Sequence, residues 1–141
     1  MTREQFMRVG PRMTTVPSPS AAILVVDDDE VMRDLLRRVL ERSGYEVVTA
    51  SDGRDGVERF RDRAVDVTIT DMKMPVMDGI ELIRTLVAEQ PSIRIIAVSG
   101  VDGWDNYLKT ARSLGAKAVL RKPVSSAELV STVKRVLTGE C

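Results

Sequence analysis

The sequence predicts an α/β protein: a doubly wound parallel sheet of five strands with five helices. Two observations carry this expectation. Five short apolar runs alternate with five segments whose apolar residues recur at helical spacing. Repeated strand–helix alternation favours parallel strands, because right-handed crossovers lay helices on both faces of the sheet. A third observation concerns chemistry. Sheets of this kind bind ligands beyond the carboxyl ends of their strands, and several of these runs end in charged or small polar residues.

The elements follow in order. AAILVV (21–26) is a short apolar run, read as a buried strand. EVMRDLLRRVLERSG places Val31, Leu35, Leu36, Val39 and Leu40 at helical spacing, and Gly44 suits the left-handed position that ends a helix. YEVVTA is a strand, with Ser51 and Asp52 read as a turn and N-cap before the helix in SDGRDGVERFRDR. VDVTIT is a strand and DMKMPVMDG a long loop, where Pro75 and Asp78-Gly79 are turn makers and Met72, Met74 and Met77 are packing residues. IELIRTLVAEQ is a helix closed by Pro91, and SIRIIAVS is a strand. VDGWDNYLKTARSLG is a helix ended by Gly115, with Tyr107 turned inward and Trp104 partly outward. AKAVLR is the last strand, and SSAELVSTVKRVLTG a helix capped by Ser125 or Ser126.

The length of 141 residues suits one domain, expected over 21–141, behind a flexible tail over 1–20. The tail holds Pro11, Pro17 and Pro19, and three arginines against Glu4. Lys+Arg and Asp+Glu are equal at 21 each, which argues against direct nucleic-acid binding. The single cysteine, Cys141, forms no internal disulfide, in keeping with a reducing cytoplasm. No apolar run approaches the roughly 18 residues of a membrane span, and no secretory signal is present. Histidine is absent, which excludes histidine triads, histidine zinc sites and a phosphohistidine carrier within the chain.

At the strand ends stand Asp27, Asp28 and Asp29 after the first strand, Asp71 after the third, Ser99 and Gly100 after the fourth, and Lys122-Pro123 after the fifth. If the first and third strands are neighbours, about 4.8 Å apart, Asp28 and Asp71 converge. Like-charged carboxylates that converge raise a pKa or share a cation, and hard oxygen ligands suit Mg²⁺. Lys122 and Ser99 would add an ammonium and a hydroxyl on the far side. A metal on the transferred oxygens and donors for the rest are the parts phosphoryl transfer needs.

With ILVVDDDE, ITDMKMPVMDGIEL, AVSG and LRKP in that order, residues 22 to 138 resemble the receiver domain of two-component response regulators. The resemblance implies the CheY-like, flavodoxin-like strand order 2-1-3-4-5. It implies that Asp71 accepts a phosphoryl group, that Asp28 ligates Mg²⁺ directly and Asp27 mainly through water, and that Lys73 offers its carbonyl to the metal. Ser99 and the Gly100 N–H would bind phosphoryl oxygens. Lys122 would bridge the phosphoryl group and the acids, aimed by a cis bond to Pro123. The implied partners are a sensor histidine kinase or phosphotransfer protein, and a downstream protein. With no output domain after the fifth helix, output falls to a surface of helix 4, strand 5 and helix 5, which also supports a phosphorylation-favoured homodimer.

Simpler readings compete residue by residue. An acidic first helical turn is favoured by the helix dipole, and this accounts for Asp29 and Glu30 better than for Asp27 and Asp28. Asp71 alone would read as an Asx-turn and Lys122 alone as a solvated lysine; their common position at strand ends decides otherwise. Two residues depart from the family pattern. Val119 stands where receivers often carry a switching Tyr or Phe, and Lys73 places an unusual charge two residues after Asp71. DDDEV also fits the opening of haloacid-dehalogenase-type phosphatases, with Asp27 as nucleophile and Asp29 as general acid. That reading leaves Asp71 unexplained and finds only Glu128 and Glu140 after the lysine. A pseudo-receiver that binds partners without phosphorylation is the third reading. The only self-catalysed reactions expected are phosphotransfer and autodephosphorylation.

Overall fold

β3 (Val67–Asp71) lies at the centre of a five-stranded parallel sheet of order β2-β1-β3-β4-β5, with β1 (Ala22–Val26), β2 (Glu46–Ala50), β4 (Ile95–Ser99) and β5 (Ala118–Arg121). The computed structural model describes residues 21–100 and 104–139, without the side chains of 104, 105, 107 and 108. The tail over 1–20, the Trp104 and Tyr107 rings and Cys141 lie outside the described residues.

Alternation along the strands divides the core into two layers. Ile23, Val25, Val67, Ile69, Ile96 and Val98 point to one face. There they meet Leu36 and Leu40 of α1 (Glu30–Arg42) and Leu129, Val133 and Val136 of α5 (Ser126–Thr138). Leu24, Val26, Ile95 and Ala97 point to the other face. They pack against α2 (Gly53–Asp62), α3 (Gly79–Glu89) and α4 (Trp104–Leu114). Fully burying one such Leu or Ile side chain contributes about 1.5–3 kcal/mol. Helices on both faces also explain why the strands read as continuous apolar runs.

The helix ends follow the sequence chemistry. Asp29, Asp52, Asp78 and Ser125 are the N-caps of α1, α2, α3 and α5. Gly44 and Gly115 have positive φ at helix ends. Asp78 therefore starts a helix, with Gly79 as its first residue, rather than serving only as a turn maker. The apolar stripe of α1 is narrower than its sequence suggests. Leu36 and Leu40 are buried, but Val31 is 77% and Leu35 50% exposed. These two lie one residue before Met32 and Leu36, hence about 100° around the helix from the buried line.

Thr68 stands out in the core. It is fully buried, pairs in register with Leu24 and Ile95, and its hydroxyl has no hydrogen-bond partner. An unpaired buried hydroxyl costs about 1–3 kcal/mol. Thr68→Val, nearly isosteric, is expected to raise stability by about 1 kcal/mol in urea unfolding. Equal or lower stability would show that the hydroxyl finds a partner.

Candidate functional site

The carboxyl ends of β1, β3, β4 and β5 meet at one edge of the sheet. Parallel pairing in register brings this about: Val26 lies beside Thr70, Asp71 beside Val98, and Ser99 beside Arg121. Each next residue is therefore delivered to the same rim. Two backbone bonds continue the ladders past the strand ends, Met72 N–H to the Val98 carbonyl at 3.0 Å and Lys122 N–H to the Ser99 carbonyl at 2.8 Å.

Asp27, Asp28 and Asp71 converge there, each offering a carboxylate oxygen within 4.8 Å of the others. Asp27 and Asp71 are buried and Asp28 is exposed. Lys122 Nζ lies 3.3 Å from Asp71 Oδ1 and 3.4 Å from Asp27 Oδ2. Burial pushes the Asp71 carboxyl up to about 6, with the Asp27 charge adding to the rise and Lys122 opposing it. Burial also raises Asp27, against the Asp29 N–H and Lys122, which favour its charged form. For Lys122, burial pulls the ammonium's pKa down, but Asp27 and Asp71 outweigh it and hold the pKa above the ordinary lysine value. Three acids and one ammonium leave an excess of negative charge, and a hard divalent cation would balance it. The donor set fits Mg²⁺, which takes carboxylate oxygens and keeps several waters.

The remaining expected site residues fall around this cluster. Ser99 is buried at the end of β4 and Gly100 half-buried beside it, while Lys73 is exposed two residues past Asp71. The Lys122–Pro123 bond is cis. Val119 is half-buried and packs against the α2–α3–α4 layer. Asp29 is committed elsewhere, its Oδ1 accepting from Val31 and Met32 N–H at 3.0 and 3.3 Å.

Sequence reasoning missed several supporting features. Gly79 is packed so closely that a Cβ there would lie 2.6 Å from the Asp71 carbonyl oxygen. At Gly53 a Cβ would lie 2.5 Å from the Met77 carbonyl oxygen. The two glycines thus let α3 and α2 press directly on the Asp71 loop. Within the loop Val76 has φ +70°, and Met77 N–H bonds the Pro75 carbonyl at 2.7 Å, closing a three-residue turn. Positive φ is strained for a β-branched residue, so nothing in its identity signals the turn. Finally, Arg33 of α1 donates from Nη1 to the Asp27 carbonyl at 2.7 Å.

Residues 23–134 match the response regulator receiver domain. The chain belongs to that family. This receiver is 32% identical over 115 residues to the chemotaxis protein CheY of Thermotoga maritima, covering 81% of this chain and 95% of CheY. It is 37% identical over 116 residues to the alkaline phosphatase synthesis transcriptional regulatory protein PhoP of Bacillus subtilis. That match covers 82% of this chain and 48% of PhoP, so the chain spans about half the length of that relative. A crystal structure of a response regulator receiver domain protein from Clostridium thermocellum superimposes with a TM-score of 0.79 at 34% identity, covering 84% of this chain and 95% of that one. The CheY-like order expected from the sequence is the order observed. Among the described residues, no helix is long and apolar enough to cross a membrane.

Proposed function

We propose that this receiver accepts a phosphoryl group on Asp71 from a histidine kinase or phosphotransfer protein, with Mg²⁺ bound at Asp27, Asp28 and Asp71, and signals through a changed protein-binding surface. The observation that carries this reading is the convergence of those three acids beside Lys122 Nζ. An Asp71 oxygen attacks the phosphorus of a phosphohistidine in line. A P–O bond forms and the P–N bond breaks; with its other ring nitrogen protonated, the imidazole leaves as the neutral base. Bound Mg²⁺ supplies charge neutralisation for the transferred oxygens. Without metal the Asp71 pKa is about 6, and a cation at the site would lower it, so the carboxylate is ionised at pH 7 when Mg²⁺ is bound. Lys122 bridges the new phosphoryl group and Asp27. Ser99 and the Gly100 N–H hold its other oxygens, and Lys73 offers its carbonyl to the metal. The resulting charge on Asp71 shifts the population between two surfaces. The surface of α4, β5 and α5 is the proposed readout for a downstream protein or a second copy of the chain. Val119 lacks the ring that the usual aromatic switch turns inward, so that half of the switch falls to the Ser99 loop.

The test is incubation with acetyl phosphate and Mg²⁺, followed by mapping of the label. A label on Asp71 that disappears in Asp71→Asn supports the proposal. A label on Asp27 would mean a haloacid-dehalogenase-type phosphatase, a reading that the capping role of Asp29 disfavours. No label would mean a binding module that works unphosphorylated.

Lys73, exposed beside the site, attracts phosphoryl oxygens or obstructs attacking water. Lys73→Ala is expected to change the autodephosphorylation rate about two- to fivefold, since one exposed charge is worth roughly 0.5–1 kcal/mol. Identical phosphoryl lifetimes would refute this.

A further inference from the structure

Every polar atom of Asp27 has a partner. Its N–H donates to the Ala50 carbonyl at 3.2 Å, and its Oδ1 accepts from the Asp29 N–H at 2.9 Å. Its Oδ2 faces Lys122, and its carbonyl accepts from Arg33 Nη1 at 2.7 Å. Arg33 differs from the other three partners. It is the side chain among the four that touches the Asp27 backbone rather than its carboxylate, reaching back six residues from the first turns of α1. The carbonyl it holds belongs to the peptide that joins Asp27 to Asp28. Fixing that peptide plane fixes the direction in which Asp28 leaves the chain. Asp28 is the exposed member of the three acids, and like charge from Asp27 and Asp71 drives it toward solvent.

We infer that Arg33 is a positioning residue for the divalent cation: its bond to the Asp27 carbonyl holds the Asp27–Asp28 peptide so that both carboxylates stay directed at Asp71. This rests on the Mg²⁺ reading above. The bond is charge-assisted, hence stronger than a neutral one. The sign of its effect separates positioning from simple electrostatics. A guanidinium near a cation site repels Mg²⁺, so removing its charge alone would tighten binding. Losing the hold on Asp28 would weaken it.

The experiment is calorimetric titration of the full chain with MgCl₂, together with thermal unfolding with and without MgCl₂. The proteins are the wild type, Arg33→Met and Arg33→Lys. Methionine keeps most of the aliphatic stem without a donor; lysine keeps a cationic donor with shorter reach. The expected result is an affinity about tenfold lower for Arg33→Met, as when a partner supporting a metal ligand is lost. Arg33→Lys should be intermediate, and the Mg²⁺-induced rise in Tm should shrink in the same order. Equal or tighter binding by Arg33→Met overturns the inference. So does a lower Tm in the absence of metal with an undiminished rise on adding it, which marks Arg33 as merely structural. A wild type that binds no Mg²⁺ overturns the inference and the functional reading together, whereas a wild type that binds while Arg33→Met binds equally removes only the inference.

Discussion

Asp71→Asn is expected to stabilise the metal-free protein at pH 7.5 by about 2 kcal/mol, while abolishing the acetyl phosphate label. The reason is the pKa of Asp71, raised from 3.8 to about 6 by burial first and by Asp27 second. A carboxyl with a higher pKa in the folded state binds its proton more tightly there than when unfolded. Its protonation therefore favours folding, and stability falls as the pH rises from about 4 to about 6, then levels off. At 1.36 kcal/mol per pKa unit, that rise corresponds to about 3 kcal/mol of strain at neutral pH. Asparagine removes the charge but keeps the shape. That figure already includes the opposing pull of Lys122; the asparagine amide has a burial cost of its own, hence the lower figure. Urea unfolding in EDTA at pH 4.5 and 7.5 would measure it: the difference between variant and wild type should be small at the lower pH and large at the higher. Saturating Mg²⁺ should narrow the gap, since the wild type gains more from the cation. A variant no more stable than wild type at pH 7.5 would mean that Asp71 carries no desolvation burden.

The two outcomes of this one substitution, more stable yet unable to be labelled, belong to a site that holds strain in a working geometry. How much of that geometry the sequence shows depends on the kind of interaction. Asp27, Asp71, Ser99 and Lys122 are legible because a parallel sheet brings the residue after each strand to a common rim. Their convergence, however, requires β1 to lie beside β3, and alternation of strands and helices does not specify strand order; only the family resemblance supplied it. The caps Asp52 and Ser125 were readable from local chemistry, since an N-cap needs only its own turn. Val31 and Leu35 share the helical spacing of Leu36 and Leu40 yet are exposed, because an apolar residue flanking the buried stripe looks the same in sequence as one within it. The bond from Arg33 to the Asp27 carbonyl is invisible in the sequence for a different reason. It depends on how far α1 turns before its fourth residue points back, and no side-chain type marks a backbone acceptor. The turn at Val76 runs against the residue's own preference, so packing around Met72, Met74 and Met77 prevails over it.

Lys122→Met should have the opposite effect, a loss of about 3 kcal/mol at pH 8 without metal. Removing one partner of a buried ion pair leaves uncompensated charge, at a cost of about 3–5 kcal/mol; the lower end applies because the Lys122 side chain is 23% exposed. Lys122 has a pKa above the ordinary lysine value, held there by Asp27 and Asp71 against the effect of burial. Its contribution is therefore complete below about 10.5 and is lost only as the pH rises through that raised value. The variant's deficit varies at lower pH for a different reason, the titration of the acids it leaves behind. Asp27 and Asp71 are already raised with Lys122 present, and without it they rise further. At pH 5 Asp71, with a pKa of about 6 even beside Lys122, would be largely protonated, and the deficit should be clearly smaller than at pH 8. Adding Asp71→Asn to Lys122→Met should recover most of the loss at pH 8, because the charge left unpaired is then gone. MgCl₂ should do the same by supplying the missing positive charge, so the Mg²⁺-induced rise in Tm should be larger in Lys122→Met than in wild type. The pattern of rescue separates a counter-charge from a packing residue: a long apolar stem lost from the core would be restored neither by acid, nor by asparagine at position 71, nor by a metal ion. If unfolding in EDTA showed the same deficit at pH 5 and pH 8, Lys122 would be holding the structure through its methylene chain, and the charge balance assigned to this rim would be wrong.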